Sequence, residues 1–541
     1  MNTSAPKIST PIDLSIYSNA LVDTIKAIKP KNKPDDYSKL SVSQTASFLA
    51  LVYEKIRNAI EYHEEHLIRR AAIERIVRRR LAINPSGKGE AENILRELLW
   101  ARYFPNESVG EEDVQKSQQI LEKYLLLKRL ILSGRNSEQQ AYFTQFIIDL
   151  LSCEIEESLS IESSTRESAF TYFVFQTLRK KIKIEGITDD LKDAYFFIAV
   201  DKSYRKSADS HQRYHMFSMF YKSISEYKPQ EIQDLATRFP EITKKIDALL
   251  KNDYVENLAK FLRRQLPPYL ILFDIFLKKP QGWQEKLKSK ESLWLLVDQI
   301  CKDKYQFIKG RLRLLTIRSL IYIIITKMAF LILVEIPLSQ MIYGAIHFET
   351  TLILLSAPVI IMMLIILTTH IPGEDNTKFI YQRIIDIIDK DSTFEERIAY
   401  ISRKRDKKRP FLIFIFTLLY IATFVLTLFV MYFILSLINF TAIQMGLFLF
   451  FVSVISFFAY RIRQVANEYR LNEKDNILSP LVDVFFMPIL ALGKFFSNEV
   501  SARLNIFIII FDFFIEAPFK LIVEVIEEWI RFVKARKDEI V

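Results

Sequence analysis

The chain has 541 residues, 50% of them hydrophobic and only 11 of them glycine, a composition that argues against sheets joined by glycine-rich turns and for an all-α protein. Its net charge of +10 is spread over mixed-sign segments, 49 Lys/Arg against 42 Asp/Glu in 1–310 and 25 against 22 in 311–541, so no basic block marks a nucleic-acid binder. Cys153 and Cys301 stand far apart without a CxxC or a Cys/His cluster, which excludes a disulfide framework and a thiolate zinc site.

Residues 1–40 carry Pro6, Pro11, Pro30 and Pro34 among scattered charges and have no apolar stretch of the kind a signal peptide needs. They are expected to form a flexible lead-in to a domain that stays in the cytoplasm. From Ser41 the apolar residues recur at three- and four-residue spacing, which predicts helices over 41–83, 90–104, 111–132, 136–160, 164–183, 187–200, 207–226, 229–250, 252–266, 269–279 and 283–309. Together they would make a cytoplasmic helical domain over 41–310, with no fixed period that marks a repeat protein.

Two motifs in this part resemble sites and are better read as helix surface or helix break. His63, Glu64, Glu65 and His66 place the histidines three apart, whereas a zinc-binding HExxH needs them at i and i+4. The stretch 85–90, PSGKGE, lacks the spacing of a phosphate-binding loop. Arg69, Arg70, Arg75, Arg78, Arg79 and Arg80 form a cationic cluster that could meet acidic lipid, nucleic acid or an acidic protein. Glu61, Glu64, Glu65 and Glu74 offer compensation within the same helix, and that reading is preferred.

Beyond residue 310 the chain changes solvent. The stretches 411–438, 442–460 and 351–369 contain no charge, and each is about as long as the ~20 residues a helix needs to cross the hydrocarbon of a bilayer. A fourth, 314–336, carries Arg318, Lys327 and Glu335, and the distribution of cations decides it. Lys309, Arg311 and Arg313 precede it, ten Lys/Arg lie in 371–410, Arg461 and Arg463 follow the last stretch, and neither 338–350 nor 439–441 has any. That alternation predicts four spans in two hairpins, 311–370 and 411–463, joined by a basic cytoplasmic loop 371–410, with both termini inside. The style of the composition suits a bacterial cytoplasmic membrane.

The remainder, 464–541, is apolar but interrupted, and it predicts amphipathic helices over 501–516 and 518–537 at the membrane interface. Asp512, Glu516, Lys520, Glu524 and Glu528 draw a polar stripe opposite Phe514, Ile515, Phe519, Ile522, Ile526 and Trp529.

The candidate intramembrane polar site is Lys327 with Glu335, joined in one reading by Glu349 and His370. An ammonium near the bilayer midplane costs about 3 kcal/mol or more and must find a partner. Lys327 and Glu335 are about 12 Å apart along a helix, too far to pair directly. Arg403, Lys404, Arg405, Lys407, Lys408 and Arg409 abut a span and are candidate contacts for anionic lipid headgroups. Six scattered histidines and two cysteines assemble no catalytic arrangement and call for no cofactor or metal. The expected function is therefore a non-enzymatic membrane-anchored scaffold or adaptor, whose helical domain binds a cytosolic protein. A transporter or channel for a small solute or ion, using Lys327 and Glu335 in a homo-oligomer, is the second expectation.

Overall fold

The computed structural model describes residues 11–28, most of 39–55, 65–343 apart from 185, 206, 279–281, then 348–367, 371–390, 399–400, 410–471, 489–495 and several between 525 and 536. The described chain is all-α. Its one strand pairing is a two-residue parallel contact in which Ile182 and Lys183 lie beside Ala399 and Tyr400.

The chain divides into two compact units. The first comprises 15–263, with 395–403 and 508–541; the second comprises 264–394 and 404–507, with 1–14.

The first unit holds α1 (Ile16–Ala27), α2 (Glu65–Ile83), α3 (Glu90–Trp100), α4 (Glu111–Leu132), α5 (Ser137–Leu159), α6 (Ile161–Arg179), α7 (Asp189–Tyr204), α8 (Asp209–Phe220), α9 (Pro229–Leu250) and the start of α10 (Asp253–Lys278). Helix α1 corrects the expected flexible lead-in. Ser15 caps it by accepting from the Ser18 N–H, and Leu21, Val22 and Ile25 form one buried stripe packed on α6. The prolines that suggested disorder flank this helix.

Helix α5 is the centre of the unit and packs on α2, α4 and α8. From Phe146 to Ile155 every side chain is buried, so this stretch has no solvent face. Phe146 meets Phe239 edge-on at 5.7 Å, with Phe143 and Phe217 each 6.3 Å from the same ring.

The second unit holds the rest of α10, α11 (Trp283–Lys288), α12 (Lys290–Phe330), α13 (Ile336–Tyr343), α14 (Phe348–Leu367), α15 (Glu374–Ile388), α16 (Pro410–Leu437) and α17 (Ala442–Ala466). Three expected boundaries move. Pro267 and Pro268 sit inside α10 without ending it, because Leu262, Leu266, Tyr269, Leu272, Ile275 and Phe276 form a buried face. That much burial offsets the ~3 kcal/mol cost of a helix-interior proline. The helix expected over 283–309 breaks at Ser289, whose side chain accepts from the Ser292 N–H and caps a new helix. That helix then runs 41 residues through Gly310, about 60 Å at 1.5 Å per residue.

Two helical stretches are long and apolar enough to cross a membrane, Lys290–Leu333 and Phe414–Leu437; Leu352–Met363 and Gln444–Ser456 are shorter apolar helices. By length and composition, then, two of the four expected spans stand out and two do not. Of the tail helices, 501–516 lies outside the described residues, and 518–537 is described only at several positions from 525 on, all helical.

Candidate functional site: a buried lysine among apolar helices

Helices α12, α14 and α17 pack against one another. Their shared core contains Ile308, Leu312 and Ile323 from α12, Met362 from α14, and Phe451, Ile455, Ile462 and Ala466 from α17. The α17 members recur at four-, seven- and four-residue steps, which is one face of a helix.

Lys327 lies within this bundle at 2% exposure. Its Nζ stands 4.0 Å from the centroid of the Phe451 ring, and Phe330 and Phe450 extend the aromatic wall, with Phe330 edge-on to Phe451 at 5.6 Å. A desolvated ammonium over a ring face gains roughly 2 kcal/mol, which offsets part of the cost of taking the charge out of water.

One turn beyond Lys327 the helix widens into a π-turn, Leu331–Glu335, in which the Ile336 N–H bonds to the Leu331 carbonyl five residues back. Pro337 accounts for it. Proline has no N–H to offer Leu333 and its ring would collide with that carbonyl, and the wider turn relieves the clash. Glu335 closes this turn; its side chain lies outside the described ones. Glu349 is exposed at the start of α14, and His370 and the basic residues Arg403, Lys404, Arg405, Lys407, Lys408 and Arg409 lie outside the described residues.

At the same end of the bundle, 439–441 turns α16 into α17. Asn439 adopts φ +59°, the Phe440 N–H bonds to the Leu435 carbonyl and the Asn439 N–H to that of Ser436. This is a Schellman stop with Leu435 and Phe440 as its apolar contact, packed on Leu354. Thr441 then opens α17 by a capping box: the Thr441 N–H donates to Gln444 Oε1 and the Gln444 N–H to Thr441 Oγ1. Three residues close one helix and start the next.

A polar hub joins α12, α15 and the segment after α17. Asn376 Nδ2 donates to Tyr305 Oη at 2.9 Å and to the Tyr469 carbonyl at 2.8 Å, while its Oδ1 accepts from the Leu471 N–H at 2.8 Å. Cys301 is buried near it, and burial pushes its thiol up to about 12 even though Thr377 and Tyr305 offer hydrogen bonds. Cys153 is buried in α5, and burial likewise holds its thiol well above the ordinary value. Neither thiol is poised as a nucleophile at neutral pH.

Among the described residues, carboxylates outside α2 join Glu74 in compensating its cationic cluster. Glu74 does hold Arg70 and Arg78, four residues before it and four after. Arg75, however, binds Glu54 at 2.8 Å, and both Arg79 and Arg80 bind the fully buried Glu97 of α3. Arg69 donates to Ser160 Oγ and lies 4.8 Å over the Phe104 ring. These arginines cross-link helices. Glu61, His63 and Glu64 lie outside the described residues, as do the side chains of Glu65 and His66.

A second ion cluster surrounds His215 of α8. Its Nδ1 is 3.0 Å from Asp201 and its Nε2 3.4 Å from Glu157, with Arg205 Nη1 2.9 Å from the same Nε2. Arg205 also meets Glu167 at 3.2 Å. Burial alone would lower the pKa of this imidazole. The Asp201 and Glu157 carboxylates outweigh burial and raise it to about 9, against the opposing charge of Arg205. Three carboxylates around two cations favour the charged ring, which then donates from both nitrogens. The chain matches no family model, no curated protein and no solved structure.

Proposed function

We propose that this protein is a membrane-anchored scaffold or adaptor: four spans, 314–336, 351–369, 411–438 and 442–460, hold it in a bilayer with both termini inside, and the helical unit binds a cytosolic protein. One observation carries the membrane part. Helix α16 is apolar on every side and covered on almost none, with Val425 58% exposed, Phe429 60% and Leu437 69%. An apolar surface of that extent is not left to water by a soluble monomer. The half of α12 beyond residue 313 has the same character, with Leu314, Ile321, Ile325 and Met328 all exposed. The distribution of Lys and Arg supports the orientation.

The shorter apolar helices support four spans rather than two, since α14 and α17 pack on α12 through one continuous core and α16 is joined to α17 by a three-residue turn. Reporters fused at 345 and 440 should be exposed outside, and those at 20, 395 and the C-terminus should stay inside. A cysteine introduced at 395 that reacts with an impermeant reagent in intact cells overturns the orientation. Protease-sensitive, reporter-positive sites on one side only would show that α16 is covered by protein instead.

The adaptor part is supported by proportion and by the ring contact of Lys327. Half the chain is a helical unit with its own core, and the ammonium among the spans already has an aromatic wall to answer it. A fragment covering 15–263 keeps α1 on α6 and leaves out the apolar part of α12. It should be soluble and should retrieve a saturable cytosolic partner that the full chain also retrieves in detergent. Reproducible solute flux through reconstituted full-length protein, lost on Lys327→Leu, would favour the transporter reading.

A further inference from the structure

From Lys304 to Val334 the sequence has six cations and no acidic residue. Two of the six are answered inside their own unit, Lys304 by Asp274 at 2.7 Å and Lys327 by the Phe451 ring. The four between them, Lys309, Arg311, Arg313 and Arg318, are exposed, and none has a side-chain partner among the described residues. They stand around the foot of a bare apolar stripe. With about 100° between successive residues of a helix, Leu314, Ile317, Ile321, Ile324 and Ile325 fall within an arc of about 100°. All five are exposed, Leu314 at 57% and Ile325 at 63%. Lys309 and Arg313 lie along one margin of that arc and Arg311 and Arg318 along the other, while the far side of the helix carries the buried Ile308, Leu312 and Ile323. Leu314 to Ile324 rises about 15 Å, the depth of one hydrocarbon leaflet. Arg318 starts one turn inside the stripe, but the Cα–Cβ bonds of a helix tilt toward its N-terminus, so its long stem leads back to the level of the other three cations.

We infer that this end of α12 holds an anionic phospholipid of the cytoplasmic leaflet, its acyl chains along the stripe and its phosphate between the two cationic margins. The inference deepens the anchoring reading above and rests on it. Charge and shape together select the occupant. Soluble phosphate would use the cations and leave the stripe bare. A second copy on the same face would set four cations against four of their own kind. An anionic phospholipid brings phosphate, net negative charge and hydrocarbon in the order in which the helix presents their partners. Three of the four cations are arginines, whose planar forks match phosphate oxygens two at a time. The leaflet is selected as well, since 328–350 has no Lys or Arg to hold a headgroup at the other end of the stripe.

The test uses the full chain in phosphatidylcholine bilayers, with a fluorophore at Ile317→Cys between the margins or, in a second preparation, at Phe429→Cys in α16. The native thiols are both buried, so the label goes to the introduced site. Quenching is titrated with spin-labelled phosphatidylglycerol and, separately, with spin-labelled phosphatidylcholine. The expected result at 317 is half-quenching at a lower mole fraction of the anionic lipid than of the zwitterionic one, with no such preference at 429. Arg318→Gln should raise the anionic fraction required about 5-fold, and Arg318→Lys should restore most of the difference; quenching at 429 in the same variants shows that they are inserted. Equal quenching by both lipids at 317 overturns the inference in favour of ordinary bulk lipid. A 317 label that neither lipid quenches, beside a quenched 429 label, overturns it in favour of a covering protein surface. A preference that survives Arg311→Gln with Arg318→Gln removes these side chains from the site and overturns it too. Labels at 317 and 429 that both stay unquenched overturn the anchoring reading itself.

Discussion

The two units answer the same problem, a cation removed from water, in opposite ways. In the helical unit Arg75, Arg79, Arg80 and Arg213 are each held by a carboxylate from another helix or segment, and Arg213 binds both Asp149 and Asp247 at 2.7 and 3.0 Å. In the apolar bundle Lys327 has the face of Phe451. The difference follows from what each region can hold. A carboxylate brought next to lysine in an apolar bundle would add a second desolvation cost of several kcal/mol. A phenylalanine ring adds none. Where water lies a side chain away, the ion pair is the stronger partner and also sets the register between helices, as the shared Glu97 does for Arg79 and Arg80.

The largest effect should come from removing that shared carboxylate. Glu97→Ala leaves two guanidinium groups at a site that is 0% exposed and should destabilise the helical unit by about 3–5 kcal/mol. Urea unfolding of the 15–263 fragment reads it as a lowered midpoint. A change below about 1 kcal/mol would mean that the arginines simply turn to solvent, and that the contrast between the units is not one of burial.

Next in size is the His215 cluster, where the sign can be worked out. The imidazole pKa is about 9 in the folded chain against 6.5 without it, so its contribution is complete below about pH 6.5 and disappears as pH rises through 9. A shift of that size corresponds to something on the order of 3 kcal/mol, shared among the coupled groups. Burial opposes ionisation of Asp201 and Glu157 as well, but the charged His215 outweighs it and holds both carboxyl groups below their usual range. Their contribution is present above the ordinary carboxylate pKa and is lost as pH falls below it. Thermal melts should therefore show a maximum in mildly acidic solution, and His215→Gln should flatten the alkaline side. An unchanged alkaline limb would show that the ring is neutral in the folded chain and that Arg205 donates to Nε2.

These interactions differ in how far the amino-acid order announces them. The helices of 111–132 and 229–250 end where their caps and breaks say, and the 439–441 turn was visible as three residues between charge-free runs. Its chemistry explains why three suffice: asparagine tolerates a positive φ, and a threonine three residues before a glutamine makes a capping box. The arginine cluster was visible too, but not its partners. Glu74 has an i, i+4 spacing, whereas Glu54 and Glu97 lie 21 and 18 residues from Arg75 and Arg79. Local spacing therefore pointed to pairs within the helix, and tertiary packing supplied the rest. Lys327 stood out from its surroundings, while Phe451 did not, because one phenylalanine in a run of apolar residues carries no spacing signal. The prolines at 11 and 30 suggested disorder, and only burial of Leu21, Val22 and Ile25 reveals the helix between them. Asn376 was equally silent: its three hydrogen bonds reach 71, 93 and 95 residues away.

That asparagine gives a sharper comparison inside the apolar unit, since it is a neutral group with all three bonds made. Asn376→Ala leaves the Leu471 N–H and the Tyr469 carbonyl without their side-chain partner and should cost about 2 kcal/mol. Melting of the full chain in detergent should drop accordingly. No drop would mean that water replaces the hub, and that the ends of α12 and α17 are not tied through α15.

The smallest effect should be at Lys327, and its smallness is what distinguishes the two units. Lys327→Leu removes the ammonium from over the Phe451 ring, which packs readily among aliphatic side chains, so the loss of the cation contact and the relief of burying a charge should nearly cancel, within about 1 kcal/mol. Lys327→Glu should be worse, because a carboxylate faces the negative face of Phe451 instead of gaining from it. The decisive measurement is a double-mutant cycle on thermal stability in detergent, with Lys327→Leu, Phe451→Leu and both together. A coupling of about 1–2 kcal/mol is expected, with Phe451→Leu alone costing more than the double variant relative to Lys327→Leu, since it strips the ammonium of its ring while leaving the charge in place. If the coupling is zero while Lys327→Leu is strongly destabilising, the ammonium is held by some group other than the ring. The apolar bundle would then rely on a polar partner after all, as the helical unit does.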